Sequence, residues 1–142
     1  MKDLKSELEE LKFERKGSIK IVGENKHPVF DLKQEKFEGN VYMWIKEEDE
    51  IPKDILYIGK AGKTLFKRCG EHIGGFKGGS SKGKKNATEL LTILEKGTNI
   101  GIWSRHSDIS SILGVEGISL CEAEEKALIK RYKDKFSLFN KS

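Results

Sequence analysis

The sequence predicts an α+β fold: a small, mainly antiparallel sheet of three strands flanked by helices, with an N-terminal helical extension. Three runs rich in β-branched and aromatic residues predict the strands, at 39–46, 54–59 and 98–104. Stretches with apolar residues at helical spacing lie before, between and after these runs. At 142 residues, the chain is long enough for one domain with one hydrophobic core.

Leucines recur at helical spacing among charged side chains in residues 2–16. This pattern predicts an amphipathic helix that packs on the domain or on a partner. Residues 18–22 are β-rich and predict a short strand, and Pro28 interrupts the chain soon afterwards. We therefore divide the chain into an N-terminal extension, residues 1–38, and a main domain, residues 39–142.

The first two strand runs are separated by an acidic segment with one proline, which predicts an antiparallel hairpin. Because side chains alternate along a strand, Tyr42 and Trp44 should share one face. The apolar side chains around them should point to the other face: Val41, Met43 and Ile45. If Tyr42 lies opposite Tyr57, the two phenols stand side by side.

Thr64 has the side chain of a helix N-cap, and the helix that it begins should end near Gly74. Arg68 and His72 are four residues apart and should lie on one face of that helix. Glycine and lysine dominate the next segment, residues 74–86, which predicts a mobile basic loop.

Asn86 should cap a second helix, which ends near Gly97. Ser119 and the glutamate three residues later form a capping-box pattern, which predicts a final helix as far as about Phe136. Glu125 falls within the apolar stripe of that helix. A carboxylate among core residues is costly unless it is paired, hydrogen-bonded or bound to a metal, so Glu125 calls for a functional explanation.

The positive charge of the chain is concentrated in one segment. Residues 59–86 contain eight basic side chains and one acidic side chain, while the whole chain has a net charge of +4. Such a concentration attracts a polyanion, most commonly nucleic acid, although a solvated lysine-rich loop would have the same composition.

Two other motifs lack the residue spacing that their functions require. Gly62-Lys63-Thr64 resembles a phosphate loop, but the glycine required five residues earlier is Tyr57. A zinc site could use Cys69 and His72 with His106 and Cys121, but the second pair lacks the short spacing of zinc ligands.

Taken together, the motifs resemble the GIY-YIG nuclease family. Asn-Val-Tyr at 40–42 stands where that family has Gly-Ile-Tyr, and Tyr-Ile-Gly at 57–59 matches its second half. Arg68 and His72 fit its Arg-x-x-x-His spacing, and the helix around Glu125 is similar to its metal-binding helix. The resemblance covers roughly residues 39–140 and rests on five motifs in the family's order.

The resemblance implies a set of catalytic residues: Tyr42, Tyr57, Lys60, Arg68, His72 and Asn140. Tyr57 is our candidate general base, and Glu125 would bind one divalent cation, Mg²⁺ or Mn²⁺. The basic segment adds candidate nucleic-acid contacts: Lys63, Lys67, Lys77, Lys82, Lys84 and Lys85.

We therefore expect a metal-dependent DNA endonuclease of restriction or repair type. The alternatives are a non-catalytic DNA-binding module that uses the basic loop at 74–86, and a protein that binds a partner through its N-terminal helix. RNA remains an alternative substrate, and the oligomeric state stays open, a homodimer included. The charged N-terminus and the lack of an apolar run near the roughly 18 residues of a membrane span predict a cytoplasmic protein with no membrane association.

Overall fold

The computed structural model describes residues 3–22, 27–33, 35–79 and 81–140. These residues form four α-helices, seven strands and one π-helical turn. In chain order the elements are α1 (Leu4–Glu10), β1 (Glu14–Val22), β2 (His27–Leu32), β3 (Glu38–Glu48), β4 (Ile51–Thr64), α2 (Leu65–Gly74), the π-helical turn (Gly75–Gly79), α3 (Ser81–Glu95), β5 (Asn99–His106), β6 (Ile109–Ile112), β7 (Val115–Ser119) and α4 (Cys121–Tyr132). No helix within the described ranges is long and apolar enough to cross a membrane.

The α+β fold class is confirmed. The predicted three-stranded sheet is present as β5, β3 and β4, all antiparallel neighbours. The sheet is wider than predicted, because β1 pairs with β5 and β2 pairs with β1, which gives the order β2-β1-β5-β3-β4. Pro28, predicted to interrupt the chain, lies within β2 and pairs with Ile21. A separate hairpin of β6 and β7, which the sequence did not predict, leaves Leu113 almost fully exposed at its tip.

The N-terminal helix is shorter than the predicted range, whose first residue lies outside the described part of the chain. Helix α1 begins where Asp3 accepts a hydrogen bond from the Ser6 N–H, and Leu4 and Leu8 are buried against the domain. It ends at Glu10, and Lys12 then adopts a φ of 65°, which turns the chain into β1. This helix therefore packs on its own domain through its apolar side.

The hairpin of β3 and β4 has longer strands than predicted, because its acidic segment continues the strands. Its turn consists of Asp49 and Glu50, which have φ values of 51° and 65°. Two consecutive positive φ angles match the twist of the flanking strands and allow a two-residue connection. Glu48, Asp49 and Glu50 are exposed at the end of the hairpin, whereas Glu47 is buried.

The predicted division of side chains between the two faces of β3 is confirmed. Tyr42 and Trp44 belong to one buried cluster, which we call the aromatic face, and helices α2 and α3 cover it. Val41, Met43 and Ile45 belong to the other cluster, the aliphatic face, which helices α1 and α4 cover. The sheet is therefore buried on both sides.

Tyr42 and Tyr57, which we considered as directly opposite each other, are two residues out of register: Tyr42 lies opposite Gly59, and Tyr57 lies opposite Trp44. The pairing next to the turn would by itself bring Tyr42 opposite Tyr57, but two β-bulges farther along the hairpin shift it by two residues. The two phenol rings are diagonal neighbours with centroids 6.1 Å apart. Gly59 is needed at this position, since a Cβ there would lie 2.5 Å from Cζ and Oη of Tyr42.

The segment at 74–86 is not the predicted basic loop, although its residue 80 lies outside the described residues. It forms the π-helical turn and the first turns of α3, which begins at Ser81. Gly83 makes this possible, because a Cβ on it would lie 2.6 Å from the carbonyl carbon of Gly75. Asn86, predicted as an N-cap, is buried inside the helix. Lysine is a good helix former, so the lysine-rich segment can continue α3 at its N-terminal end. Burial of the apolar side of α3 then stabilises the longer helix.

The final helix also differs at its ends. Its N-cap is Leu120, and Ser119 Oγ accepts a hydrogen bond from the Cys121 N–H at 3.3 Å. Glu122 pairs with Lys60 and Lys126 instead of completing a capping box. The helix ends at Tyr132, before the predicted Phe136.

Candidate active site

Five of the predicted site residues converge from four different elements. Tyr42 comes from β3, Tyr57 from β4, Arg68 and His72 from α2, and Glu125 from α4. The rings of Tyr42, Tyr57 and His72 are mutual neighbours on the aromatic face. The charge of Arg68 acts on both phenols and on the Glu125 carboxyl. The site therefore lies where α2 and α4 meet the edge strand β4.

Helix α2 is positioned by its first turn and by its buried side. Thr64 Oγ1 accepts a hydrogen bond from the Lys67 N–H at 3.2 Å, which confirms the predicted N-cap. Leu65, Cys69 and His72 are buried on the same helix. Arg68 and His72 therefore both reach the sheet, as their four-residue spacing predicts.

Tyr42 and His72 form a buried hydrogen-bonded pair. The Tyr42 hydroxyl lies 2.5 Å from Nε2 of His72, and the Tyr42 side chain has no exposed surface. Burial, assisted by the nearby charge of Arg68, lowers the pKa of His72 to about 3. The imidazole is therefore neutral at physiological pH, and its Nε2 can accept the phenolic proton of Tyr42 in a hydrogen bond.

Tyr57 is the phenol that faces the open cavity of the site. Its ring stacks on Trp44 with centroids 4.3 Å apart, and the residue is 8% exposed to solvent. Burial raises the pKa of Tyr57, while the Arg68 charge and a hydrogen bond with Tyr42 oppose that rise. Burial also raises the pKa of Tyr42 well above its ordinary value. Both phenols are consequently protonated in the resting protein.

Glu125 is half-buried at the edge of β4. Burial raises the pKa of its carboxyl, and the charge of Lys60 together with a hydrogen bond from the Lys60 backbone N–H opposes that rise. The carboxyl also affects the pKa of Tyr57, so it belongs to the same electrostatic cluster. A half-buried carboxylate beside a phenol and an arginine suits a cation that is shared with a phosphate group.

Mg²⁺ usually keeps several water ligands and takes only one or two carboxylates together with substrate phosphates. Among the described residues no three His, Cys, Asp or Glu side chains converge in a group that could hold a metal ion. Glu125 therefore fits a cation that is completed by water and substrate, and does not fit a cage built from protein ligands.

A cavity of about 220 Å³ opens beside Tyr57, Arg68 and His72. Its opposite wall comes from the π-helical turn and α3, through Gly75, Lys82 and other residues of this segment. The remaining lining residues are Glu71, Gly83 and Asn86. Asn86 was predicted only as a helix cap, and its position before the apolar Ala87 and Leu90 would have indicated a polar group on the buried side of α3.

The basic side chains surround this cavity at different distances. Lys82 lines it, and Lys60 lies beside Glu125 with its Nζ 3.5 Å from Glu122. Lys63 pairs weakly with Glu38 at 3.9 Å. The other predicted nucleic-acid contacts are exposed: Lys67, Lys77, Lys84 and Lys85.

Asn140 lies behind the site and not in the cavity. Its Nδ2 donates to the carbonyl of Ile58, and its Oδ1 accepts from the Ile58 N–H at 3.2 Å. The neighbouring Phe139 N–H donates to the Leu56 carbonyl at 2.7 Å. The chain end thus pairs with the outer side of β4 and fixes the backbone on either side of Tyr57.

A solved structure shares this fold at low sequence identity. EndoII of bacteriophage T4, determined as a mutant with one glutamate replaced by alanine, matches with a TM-score of 0.68 at 18% identity, over 93% of this chain and 96% of that chain. A restriction endonuclease, HPY188I in complex with product DNA, matches with a TM-score of 0.48 at 15% identity, over 94% of this chain and 82% of that chain. No protein-family model matches the sequence, and no curated protein shows significant similarity to it. The chain therefore has the fold of EndoII along almost its whole length.

Proposed function

We propose that this protein is a metal-dependent DNA endonuclease of the GIY-YIG type, which hydrolyses phosphodiester bonds with one divalent cation. The observation that carries the proposal is the clustering of five side chains: Tyr57, Arg68 and His72 line one cavity, Tyr42 contacts His72 behind it, and the Glu125 carboxyl acts on the pKa of Tyr57. These residues come from four elements that are distant in sequence. The shared fold with EndoII supports the proposal.

The surroundings of the cavity suit a polyanionic substrate. Lys82 lines the cavity wall, and exposed lysines continue along α3 and the π-helical turn. Phosphate contacts of this kind supply affinity without sequence specificity and make binding strongly salt-dependent. We expect a DNA strand to lie along α3 with the scissile phosphate beside Arg68.

Arg68 and Glu125 would act on the phosphate. The guanidinium of Arg68 is planar and suited to pair two phosphoryl oxygens as negative charge develops on them. Mg²⁺ or Mn²⁺, held by Glu125 and water, would supply Lewis-acid stabilisation of the phosphate and of the leaving 3′ oxygen. Lys60, beside Glu125, would orient this carboxylate through its backbone N–H and add positive charge.

Tyr57 would receive the proton of the attacking water. Tyr57 faces the cavity and is hydrogen-bonded to Tyr42, which in turn contacts Nε2 of the neutral His72. As Tyr57 takes a proton from water, it can pass its own proton to Tyr42, and Tyr42 can pass its proton to His72. This route avoids a free phenolate, which burial disfavours. Because the pKa of His72 is about 3, the proton would not stay on the imidazole and would have to pass on to the leaving 3′ oxygen.

Asn140 would act on this chemistry through the backbone. Its amide holds both polar groups of Ile58, the residue next to Tyr57. It therefore keeps β4 straight on its outer side, where the strand has no further neighbour in the described sheet. In this proposal Asn140 is a positioning residue and does not contact the reacting phosphate.

The test is cleavage of supercoiled plasmid in Mg²⁺ or Mn²⁺ by the wild type and by Glu125→Ala. The wild type should nick or linearise the plasmid, and Glu125→Ala should lose at least about 100-fold in rate while binding DNA normally in the absence of metal. Glu9→Ala, an exposed glutamate on α1, is the matched control and should cleave like the wild type.

Equal cleavage by the wild type and Glu125→Ala would remove Glu125 from the mechanism. Salt-sensitive DNA binding without cleavage by any variant, over a panel of sequences and branched substrates, would instead favour a non-catalytic DNA-binding module. The same panel separates a restriction role, which requires a sequence, from a repair role, which requires a DNA structure.

A further inference from the structure

We propose that Arg105 is a positioning residue, which fixes the first turns of α4 and thereby the carboxylate of Glu125 relative to the sheet. The inference rests on the proposed function, because that function assigns a divalent cation to Glu125. It also gives the N-terminal segment a role, since Arg105 connects that segment to α4.

Arg105 lies at the junction of three parts of the chain. It is on β5, directly opposite Val41 and therefore next to the strand position of Tyr42. Its Nη1 donates to the carbonyl of Leu11 at 3.3 Å, just beyond the end of α1. Its Nη2 pairs with Asp108 Oδ1 at 3.0 Å, at the start of the β6–β7 hairpin.

The third partner of Arg105 is Glu124, the residue before Glu125. Nε of Arg105 lies 3.5 Å from Oε1 of Glu124, and the other carboxylate oxygen accepts a hydrogen bond from the Asp108 N–H at 3.0 Å. Within the described residues, Arg105 Nε and Glu124 Oε1 are buried and have no hydrogen-bond partner, so each compensates the charge of the other.

This ion pair is shielded from water, unlike the surface pairs of α4. The side chains of Arg105 and Glu124 are 15% and 17% exposed, whereas those of Lys126 and Glu122 are 71% and 63% exposed. Breaking a buried pair leaves an uncompensated charge, and the chain must move to solvate it. The segment that would move is the turn of α4 that carries Glu125.

The far end of α4 is held separately. Glu7 of α1 accepts hydrogen bonds from Arg131 at 3.1 Å and from the Tyr132 hydroxyl at 3.2 Å. Loss of the Arg105 contact would therefore leave α4 anchored at its C-terminal end, while its first turn would lose one of its anchors. That turn would retain the contacts of Glu124 with Asp108 and of Glu122 with Lys60. Groups that orient a metal ligand typically change metal affinity or activity by about 10- to 100-fold when they are removed.

The experiment is a titration of the full chain with Mn²⁺, in which electron paramagnetic resonance measures the free ion. Arg105→Gln should weaken Mn²⁺ binding by about tenfold. Removal of a positive charge near a cation site would by itself strengthen binding, so weakening indicates displacement of Glu125. The double variant Arg105→Gln/Glu124→Gln keeps the net charge and removes the uncompensated carboxylate, so it should recover part of the lost Mn²⁺ affinity but not all of it.

Arg15→Gln is the matched control. Arg15 lies on β1 opposite Trp103, and its guanidinium forms a bidentate pair with the buried Glu47 at 3.0 to 3.2 Å, at the end of β3 away from Arg105. Its loss should lower stability while leaving Mn²⁺ affinity within about twofold of the wild type. Equal losses of Mn²⁺ affinity in Arg15→Gln and Arg105→Gln would show that Arg105 only stabilises the fold. That result would overturn the inference.

The two proposals fail in different ways. If Glu125→Ala abolishes Mn²⁺ binding, an unchanged Mn²⁺ affinity in Arg105→Gln would overturn this inference. If Arg105→Gln does not fold, an unchanged affinity in the double variant would overturn it. Mn²⁺ binding that survives in Glu125→Ala would contradict the metal assignment of the proposed function and, with it, the role of Arg105.

Discussion

The two faces of the sheet are both buried, but their buried ionisable side chains are arranged differently. On the aromatic face Tyr42, Tyr57 and His72 contact one another with little access to water. On the aliphatic face such side chains form separate pairs: the buried Tyr132 donates to Glu7, and the buried Glu47 pairs with Arg15. Packing alone therefore does not explain the composition of the aromatic face.

Burial of ionisable side chains has a cost, which three neighbouring groups incur together on the aromatic face. Burial lowers the pKa of His72 to about 3 and raises the pKa of Tyr57, so each group is held in its neutral form. Side chains with strongly shifted pKa values next to a cavity are typical of catalytic sites, since proton transfer requires them. The difference between the faces supports our proposal that proton transfer takes place on the aromatic face.

The largest effect should come from removing one hydroxyl on the aromatic face. Tyr57→Phe keeps the ring that stacks on Trp44 and deletes the group that faces the cavity. The rate of plasmid nicking should fall by about 10²- to 10⁴-fold, the usual contribution of a positioned acid or base. Initial rates at saturating Mg²⁺ measure the loss, and circular dichroism checks that the fold is retained.

The same substitution on the aliphatic face provides the control. Tyr132→Phe removes a hydroxyl that donates to Glu7 at 3.2 Å and lies on the same helix as Glu125. It should cost about 1 kcal/mol of unfolding free energy and leave the nicking rate within a few-fold. Comparable rate losses in the two variants would show that the faces do not differ in function.

The next largest difference between the two faces should be in how their stability depends on pH. The pKa of His72 is lowered from 6.5 to about 3, so the unfolded chain binds a proton between these values that the folded chain does not bind. Stability is therefore present above about pH 6.5 and is lost as pH falls towards 3, by up to about 1.4 kcal/mol per pH unit. Urea unfolding between about pH 7 and 5 measures this slope.

His72→Gln should flatten that slope, although it lowers stability at neutral pH. On the aliphatic face, burial raises the pKa of Glu7, but hydrogen bonds from Tyr132 and Arg131 and the charge of Lys135 outweigh it and lower the pKa below 4.5. Its contribution is lost only as pH falls through that lower value. A slope that persists in His72→Gln above about pH 5 would assign the titration to another group.

Sequence periodicity could predict the parts of the fold that local rules determine. The alternation along β3 correctly separated Tyr42 from Met43, and the Thr64 cap correctly placed the start of α2. The five-strand width could not be predicted, because the pairing of β1 with β5 joins segments about 85 residues apart in the chain. The register at Tyr42 could not be predicted, because it depends on two β-bulges between Tyr42 and the turn that sequence periodicity does not show.

The predicted loop at 74–86 failed for a related reason. Glycine and lysine content favours a flexible segment when only local composition is considered, but Gly83 packs against Gly75 and so joins α3 to the end of α2. That contact between two glycines has no sequence signature. The order of the motifs along the chain predicted the other site residues. The roles of Asn86 and Arg105 follow from tertiary contacts, which residue spacing does not predict.

The smallest expected effect concerns the glycine that separates the two phenols. Gly59→Ala would place a Cβ 2.5 Å from Cζ and Oη of Tyr42 and 2.8 Å from Cε1 of Tyr57. Because both rings are held by close neighbours, they cannot move freely, and the substitution should cost about 1–3 kcal/mol of unfolding free energy. Gly62→Ala, in the same strand with open space around its Cβ, should change stability by no more than about 0.5 kcal/mol.

Gly59→Ala also connects the stability of the aromatic face to its chemistry. The new methyl group presses on Tyr42 and Tyr57, the two hydroxyl groups of the proposed proton route, so the nicking rate should fall together with the unfolding free energy. Gly62→Ala should leave both quantities unchanged. A Gly59→Ala variant that loses stability but retains full activity would show that the spacing of the two phenols is not critical, and the proton route through Tyr42 would then have to be abandoned.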